Sequence, residues 1–198
     1  MQRCNWVSDD PLYLAYHDQE WGRPLYDGDR LFELLCLEGQ QAGLSWITVL
    51  KKRAHYRQCF FGFNARQMAA LSEVQLAVLM QDSGLIRNRR KLAALVHNAR
   101  AYLALQDSGE DFSALLWSFV GGQPRVNHFA RAEQVPASTP DSVAMSKALK
   151  KRGFTFVGPT ICYAFMQAAG LVNDHLSGCD WHARCKGAHF SAQGDNSV

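Results

Sequence analysis

The chain of 198 residues lacks the apolar run of roughly 18 residues that a membrane-crossing helix needs, which excludes a helical integral membrane protein. Its opening segment, MQRCNWVSDDPLY, has no apolar core of a secretory signal. Six cysteines, at positions 4, 36, 59, 162, 179 and 185, are too scattered for the dense framework of a disulfide-stapled domain. These absences lead us to expect a reduced, cytoplasmic protein in which Cys36, Cys59 and Cys162 are ordinary buried thiols. Internal repeats and low-complexity tracts are missing too. A net charge of +3 is too small to require a polyanionic partner by itself, so the placement of the charges matters more than their sum.

What is present is a normal interior: 47% hydrophobic and 20% charged residues suit one globular domain, expected over residues 1–185 with 186–198 as a loose tail. Helical periodicity dominates, and no stretch alternates over six or more residues. Asp29 can cap a helix whose positions Leu31, Leu34, Leu35 and Glu38 follow one face. Further helices are expected at 45–56, 65–70, 72–83, 88–106 and 111–120, the last capped by Asp111. Thr139-Pro140-Asp141 is a helix start, with threonine as N-cap and proline at the first helical position. That helix should stop at Gly153, and another should run from Pro159 to Ala169, closed by Gly170. Gly121–Ser138 reads as the longest irregular connection. The fold class is all-α.

Both ends of the chain carry soft metal ligands. His175 and Cys179, in His-x3-Cys spacing, would share one face of a helix, and Cys4 and His17 span a loop that can fold onto one ion. Two thiolates and two imidazoles complete a closed tetrahedral zinc shell, which is structural rather than catalytic. The plainer alternative is four unconnected residues among 6 Cys and 7 His.

Glu38 interrupts the apolar stripe of its own helix. A buried carboxylate is either paired or held for a task. Around it in sequence lie Trp6, Tyr13, Tyr16, Trp21 and Trp46, which could be ordinary core. Aromatics with polar tips also suit a pocket that stacks a flat ligand, and a carboxylate among them favours a cationic planar one, such as an alkylated purine.

Basic residues fall in three clusters: Lys51, Lys52, Arg53 and Arg57; Arg87, Arg89, Arg90 and Lys91; and Lys147, Lys150, Lys151 and Arg152. Each alone could be a solvated helix end. The third opens onto GFTFVGPT at 153–160, a glycine-bearing hairpin between two helices. Small residues let backbone amides approach a phosphate, and a helix N-terminus favours an anion there. A plain helical hairpin with no ligand would look the same.

At this point the chain resembles a known family. The hairpin is similar to the helix-hairpin-helix element of DNA glycosylases. The stretches CNWVSDDPLYLAYHDQEWG (4–22), LFELLCLEGQQAGLSWITVLKKR (31–53) and SKALKKRGFTFVGPTICYAFMQAAGLVNDH (146–175), with Cys179, resemble the constitutive bacterial 3-methyladenine DNA glycosylases. The resemblance runs to about residue 180. It implies a helix-hairpin-helix glycosylase fold and a structural zinc on Cys4, His17, His175 and Cys179. It also implies a base pocket in which Glu38 is the catalytic candidate, Trp46 stacks on the base, and Tyr16, Tyr13, Trp6 and Trp21 form walls. Gly43 and Leu44 would meet the gap left by an extruded nucleotide. Lys147, Lys151, Gly153, Gly158 and Thr160 would hold the backbone of duplex DNA. The expected enzyme is a monomer that hydrolyses the N-glycosidic bond of 3-methyladenine.

Departures from the family follow residue 180, where His182 and Cys185 offer alternative metal ligands. Asp174 adjoins a metal-ligand candidate and is not assigned a catalytic role. GFTFVGPT carries no lysine nucleophile, which argues against a Schiff-base lyase step. Two other function classes stand beside the glycosylase. A zinc-stapled DNA-binding module would not need Glu38 or Trp46. A metallohydrolase would need an open metal position, which four N/S ligands do not leave.

Overall fold

The computed structural model describes residues 1–185. Among the described residues ten α-helices follow in order: α1 (Pro11–Gln19), α2 (Gly28–Gln41), α3 (Trp46–Cys59), α4 (Ala65–Ala69), α5 (Glu73–Leu79), α6 (Arg89–Asp107), α7 (Phe112–Ser118), α8 (Pro140–Lys151), α9 (Pro159–Ala168) and α10 (Asp180–Arg184). The proposed tail at 186–198 lies outside the described residues.

Local signals account for most helix starts. Asp111 accepts from the Ala114 amide at the head of α7, and Thr139 with Pro140 starts α8. For α2 the cap is Asp27, which accepts from the Arg30 amide, rather than Asp29; Asp29 instead accepts the Tyr102 hydroxyl at 2.8 Å. One expectation needs correction in a small way. Residues 125–126 (β1) and 172–173 (β2) form a two-residue parallel bridge inside what the pattern reads as all-α. Such a short pairing carries no alternation for a sequence to display.

The long helix α6 and the central α2 supply much of the core. α2 packs against α3, α6, α7 and α9, burying Leu31, Phe32, Leu35, Cys36 and Leu37. Burying such side chains is worth about 1.5–3 kcal/mol each, so the orientation of α2 is strongly fixed. That orientation carries Glu38 inward. α8 and α9 pack as a hairpin, and Phe156 of the connecting turn lies against Gly39 of α2, where an added Cβ would come within 3.2 Å of the Phe156 Cβ. The hairpin therefore docks one residue from Glu38. No described helix is long and apolar enough to cross a membrane.

Candidate active site

Glu38 lines a cavity of about 240 Å³ together with Trp6, Tyr13, Tyr16, Trp21 and Trp46. All six pocket residues expected from sequence therefore meet in one place. α1 delivers Tyr13 and Tyr16, three apart on one helical face; α2 delivers Glu38; α3 begins with Trp46. Trp6 packs at 5.1 Å from Tyr13 and 5.0 Å from Trp21, while the Tyr16 and Trp46 rings lie 5.5 Å apart.

The polar edges of this cavity are unusual. Among the described residues, Tyr16 Oη, Glu38 Oε2 and Trp46 Nε1 are buried with no hydrogen-bond partner. An orphaned buried polar atom costs about 1–3 kcal/mol, and three around one cavity make a receptor for something with complementary polar groups. Burial pushes the Glu38 carboxyl up to about 8. Tyr16 is held well above the ordinary phenol range, first by burial and then by Glu38.

Sequence reasoning missed part of the wall. Gln41, one helical turn after Glu38, and Asp174 also line the cavity. Asp174 differs from Glu38, because its oxygens accept the Tyr163 hydroxyl at 2.6 Å, Gln167 Nε2 at 2.8 Å and Asn127 Nδ2 at 2.7 Å. It is buried and well satisfied. The sequence signals for it were its place shortly after the hairpin and beside His175.

Cys4, His17, His175 and Cys179 are all buried, with one ligand atom from each inside a mutual distance of 4.8 Å. Cys4 Sγ and Cys179 Sγ each lie 3.6 Å from His175 Nδ1, and Cys179 Sγ is 3.6 Å from His17 Nε2. A tetrahedral shell with metal–sulfur bonds of ~2.3 Å and metal–nitrogen bonds of ~2.0–2.1 Å has S–N edges of ~3.6 Å. The surroundings fit as well. His17 Nδ1 donates to Asp18 Oδ1 at 2.8 Å, Arg3 braces Asp18, and His175 Nε2 donates to the Trp21 carbonyl at 3.1 Å. Those contacts leave the inward nitrogens as acceptors for an ion. The Leu176 amide points at Cys4 Sγ, 3.4 Å away. Burial pushes the Cys4 thiol up to about 12 and His175 down to about 3.

One detail of the expectation is corrected. His175 and Cys179 do not share a helix; they flank a tight turn closed by Cys179 N to Leu176 O at 2.7 Å, and Ser177 N is held by Phe129 O. His182 Nε2 instead donates to the Asn127 carbonyl at 2.7 Å, and neither His182 nor Cys185 is among the four residues whose ligand atoms converge. Gly22 takes a positive φ of 74°, and a Cβ there would sit 2.9 Å from His175 Nε2.

The expected DNA-facing residues divide. Gly43 has a φ of 74° in the turn between α2 and α3, which leaves Leu44 41% exposed despite its apolar side chain. Buried Lys91 latches this turn by donating to the carbonyls of Gln40 at 2.8 Å and Ala42 at 2.6 Å. Lys147, Lys151, Gly153 and Thr160 are exposed around the hairpin, and Gly158 is the N-cap of α9. Asn98 of α6 clamps the hairpin by accepting the Thr155 amide at 2.8 Å and donating to its carbonyl at 3.1 Å. The first basic cluster, by contrast, is committed within the fold. Lys51 pairs with Asp10, Arg53 with Glu20 and Arg57 with Glu33, while Lys52 donates to the Ser83 and Gly84 carbonyls. Arg152 of the third cluster pairs with Glu110.

A methyladenine glycosylase family model matches residues 6–183. The chain is 59% identical over 179 residues to DNA-3-methyladenine glycosylase 1 of Escherichia coli (strain K12), covering 90% of this chain and 96% of that one. A crystal structure of 3-methyladenine DNA glycosylase I superposes with a TM-score of 0.90 at 59% identity, covering 90% of this chain and 98% of that one. The Staphylococcus aureus 3-methyladenine DNA glycosylase I, solved to explain its recognition of 3-methyladenine, superposes with a TM-score of 0.88 at 39% identity, over 96% of this chain and 98% of that one.

Proposed function

The chain belongs to the methyladenine glycosylase family, an enzyme of base-excision repair, and we propose that it cleaves the N-glycosidic bond of 3-methyladenine in DNA at the Glu38 cavity. The observation that carries this is the set of buried, unpartnered polar atoms on Tyr16, Glu38 and Trp46 around one aromatic cavity. A 3-methyladenine nucleoside is cationic on its base. Aromatic faces attract such a cation, and Glu38 accepts hydrogen bonds from its amine edge.

Extruding the nucleotide costs a few kcal/mol, least where pairing is already weakened by damage. Leu44 fills the vacated stack, with the Gly43 turn held by Lys91 behind it. Lys147, Lys151, Thr160 and the hairpin amides at Gly153 and Gly158 hold the phosphate backbone without reading sequence. When the glycosidic bond breaks, its electron pair neutralises the base cation, and the sugar passes through an oxocarbenium-like state. Water adds at that sugar carbon and loses a proton, leaving free 3-methyladenine and an abasic site. Because the alkylated base leaves readily, little acid catalysis is required, and electrostatic support of the developing cation lowers the barrier further. No amine nucleophile is used, so no strand cleavage follows.

Cys4, His17, His175 and Cys179 hold a zinc ion that staples the two ends of the chain. A closed N/S shell is a structural use of the metal, which argues against a metallohydrolase. The protein acts as a monomer on duplex DNA in the cytoplasm.

The test is base release from methylated duplex DNA, followed by chromatography, for wild type, Glu38→Gln and Trp46→Ala. Free 3-methyladenine from wild type and clear loss in both variants is the expected result. No release by a folded, DNA-binding wild type would favour the non-catalytic binding module.

A further inference from the structure

Away from the cavity and the terminal cluster, a second His-x3-Cys pair occurs in α3. His55 and Cys59 sit one helical turn apart, and Asp82, from the turn between α5 and α6, closes a triangle with them. His55 Nε2 is 2.7 Å from Asp82 Oδ2; Cys59 Sγ is 3.4 Å from His55 Nε2 and 3.7 Å from Asp82 Oδ2. The sequence reading took Cys59 as an ordinary buried thiol. It is half-buried and lies between an imidazole and a carboxylate instead.

We propose that His55, Cys59 and Asp82 form a second metal site, open to solvent on one side, for a borderline-soft divalent ion of the zinc–cobalt class.

Several features of the surroundings support a built site. Asp82 Oδ1 accepts the Gly84 amide at 2.7 Å, which orients the carboxylate and leaves Oδ2 facing the imidazole. Lys52 of α3 donates to the Ser83 and Gly84 carbonyls at 2.8 and 3.1 Å, so the 82–84 turn is pinned to the helix that carries the other two ligands. Its ammonium is thereby occupied by carbonyls. A Cβ at residue 84 would come within 2.4 Å of the His55 ring, so any larger residue would displace the imidazole. The turn is thus fitted around the imidazole, not merely near it.

Ligand chemistry selects the ion. One thiolate, one imidazole nitrogen and one carboxylate oxygen suit zinc-like ions, whereas magnesium or calcium prefers all-oxygen shells. Three protein ligands leave a fourth tetrahedral position for water, unlike the closed cluster at the termini. His55 and Asp82 keep side-chain exposures of 38% and 31%, so an ion has a path in. Binding releases the Cys59 proton to solvent and shifts the imidazole proton from Nε2 to Nδ1. The His55–Asp82 contact opens from 2.7 Å to a ligand–ligand edge of ~3.3 Å, a movement within reach of two half-exposed side chains. A bound ion would clamp the far end of α3, opposite the end where Trp46 enters the cavity.

The experiment uses the full chain, loaded with one equivalent of zinc, freed of excess metal and titrated with Co²⁺. Wild type should develop a thiolate-to-cobalt charge-transfer band that saturates at one further equivalent. Cys59→Ser should lack that band. His55→Gln should bind cobalt at least tenfold more weakly, since losing even a supporting residue costs roughly 10–100-fold. Circular dichroism melting of both variants checks that they are folded. No band in wild type, or an equal band in Cys59→Ser, overturns the proposal; the second result would place cobalt at Cys4 and Cys179.

Discussion

The aromatic cavity and the Cys/His cluster are neighbours that share walls. The Trp21 ring lies 4.6 Å from that of His175, and Trp6 lies 5.3 Å from His17 while also lining the cavity. Their polar chemistry is nevertheless opposite. In the cluster three of the four inward atoms have support behind them: Asp18 and Arg3 behind His17, the Trp21 carbonyl behind His175, the Leu176 amide toward Cys4. In the cavity Tyr16, Glu38 and Trp46 leave polar atoms unmatched. The cluster brings four potential metal ligands together, and under the proposed function they hold a permanent resident. The cavity keeps its polar atoms for a visitor, at a cost in stability that the neighbouring cluster and the α2 core offset.

Removing the visitor's partners should have the largest effect. Glu38→Gln is expected to lower base release by roughly 10²-fold or more, in line with loss of one preorganised electrostatic group. Trp46→Ala should cost roughly 1–3 kcal/mol of base stacking, read as a higher KM for methylated DNA. Wild-type rates in Glu38→Gln would erase the contrast between the two regions.

Next comes the resident side. Cys4→Ser or Cys179→Ser should destabilise by on the order of 3 kcal/mol, a fall in Tm of ~6–12 °C for a chain this size. Metal removal by chelator should act alike, and base release should fall with it because the cavity loses two walls. An unchanged melting curve after verified metal loss would mean the cluster supports nothing.

Glu38 also sets a pH dependence of stability with a definite sign. Its folded-state value, about 8, lies above the ordinary 4.5, so the folded state binds the proton more tightly than the unfolded chain. Stability from this group is present below pH ~4.5 and is lost as pH rises through ~8. Glu38→Gln should therefore melt higher than wild type at pH 8 by up to a few kcal/mol, with the gap closing toward pH 5. A gap that widens at low pH would reverse the assignment. The smallest effect is on the surface: Lys147→Ala or Lys151→Ala should each reduce the salt slope of DNA binding by ~1. Arg53→Ala and Arg57→Ala should leave that slope nearly unchanged, because both are already paired with glutamates.

Helix positions were legible because caps, prolines and the 3.6-residue period are local. Asp111 and Thr139 marked helix starts from sequence alone, and the stripe through Leu31, Leu35 and Glu38 foretold the buried carboxylate. Gathering the pocket aromatics into one family pattern rested on the resemblance, since single tryptophans carry no spacing rule. What stayed hidden depends on distant partners. Asp174 joins the wall through Asn127 and Tyr163, Lys91 braces the 41–45 turn from another helix, and Asn98 clamps the hairpin from α6. The fate of the basic residues was hidden for the same reason: Arg53 meets Glu20 only after folding, 33 residues away. Cys59 looked ordinary because Asp82 lies 23 residues away in the chain.

The central claim is that Glu38 is held buried at the aromatic cavity with Oε2 unpartnered among the described residues, and its carboxyl can be watched directly. Carbon-13 NMR of the glutamate side chains, titrated in wild type and assigned by comparison with Glu38→Gln, would report it. The account predicts that the Glu38 signal titrates near pH 8. A midpoint near the ordinary 4.5 would show a solvated or already paired carboxylate, and the reading of the cavity as a primed receptor would fail.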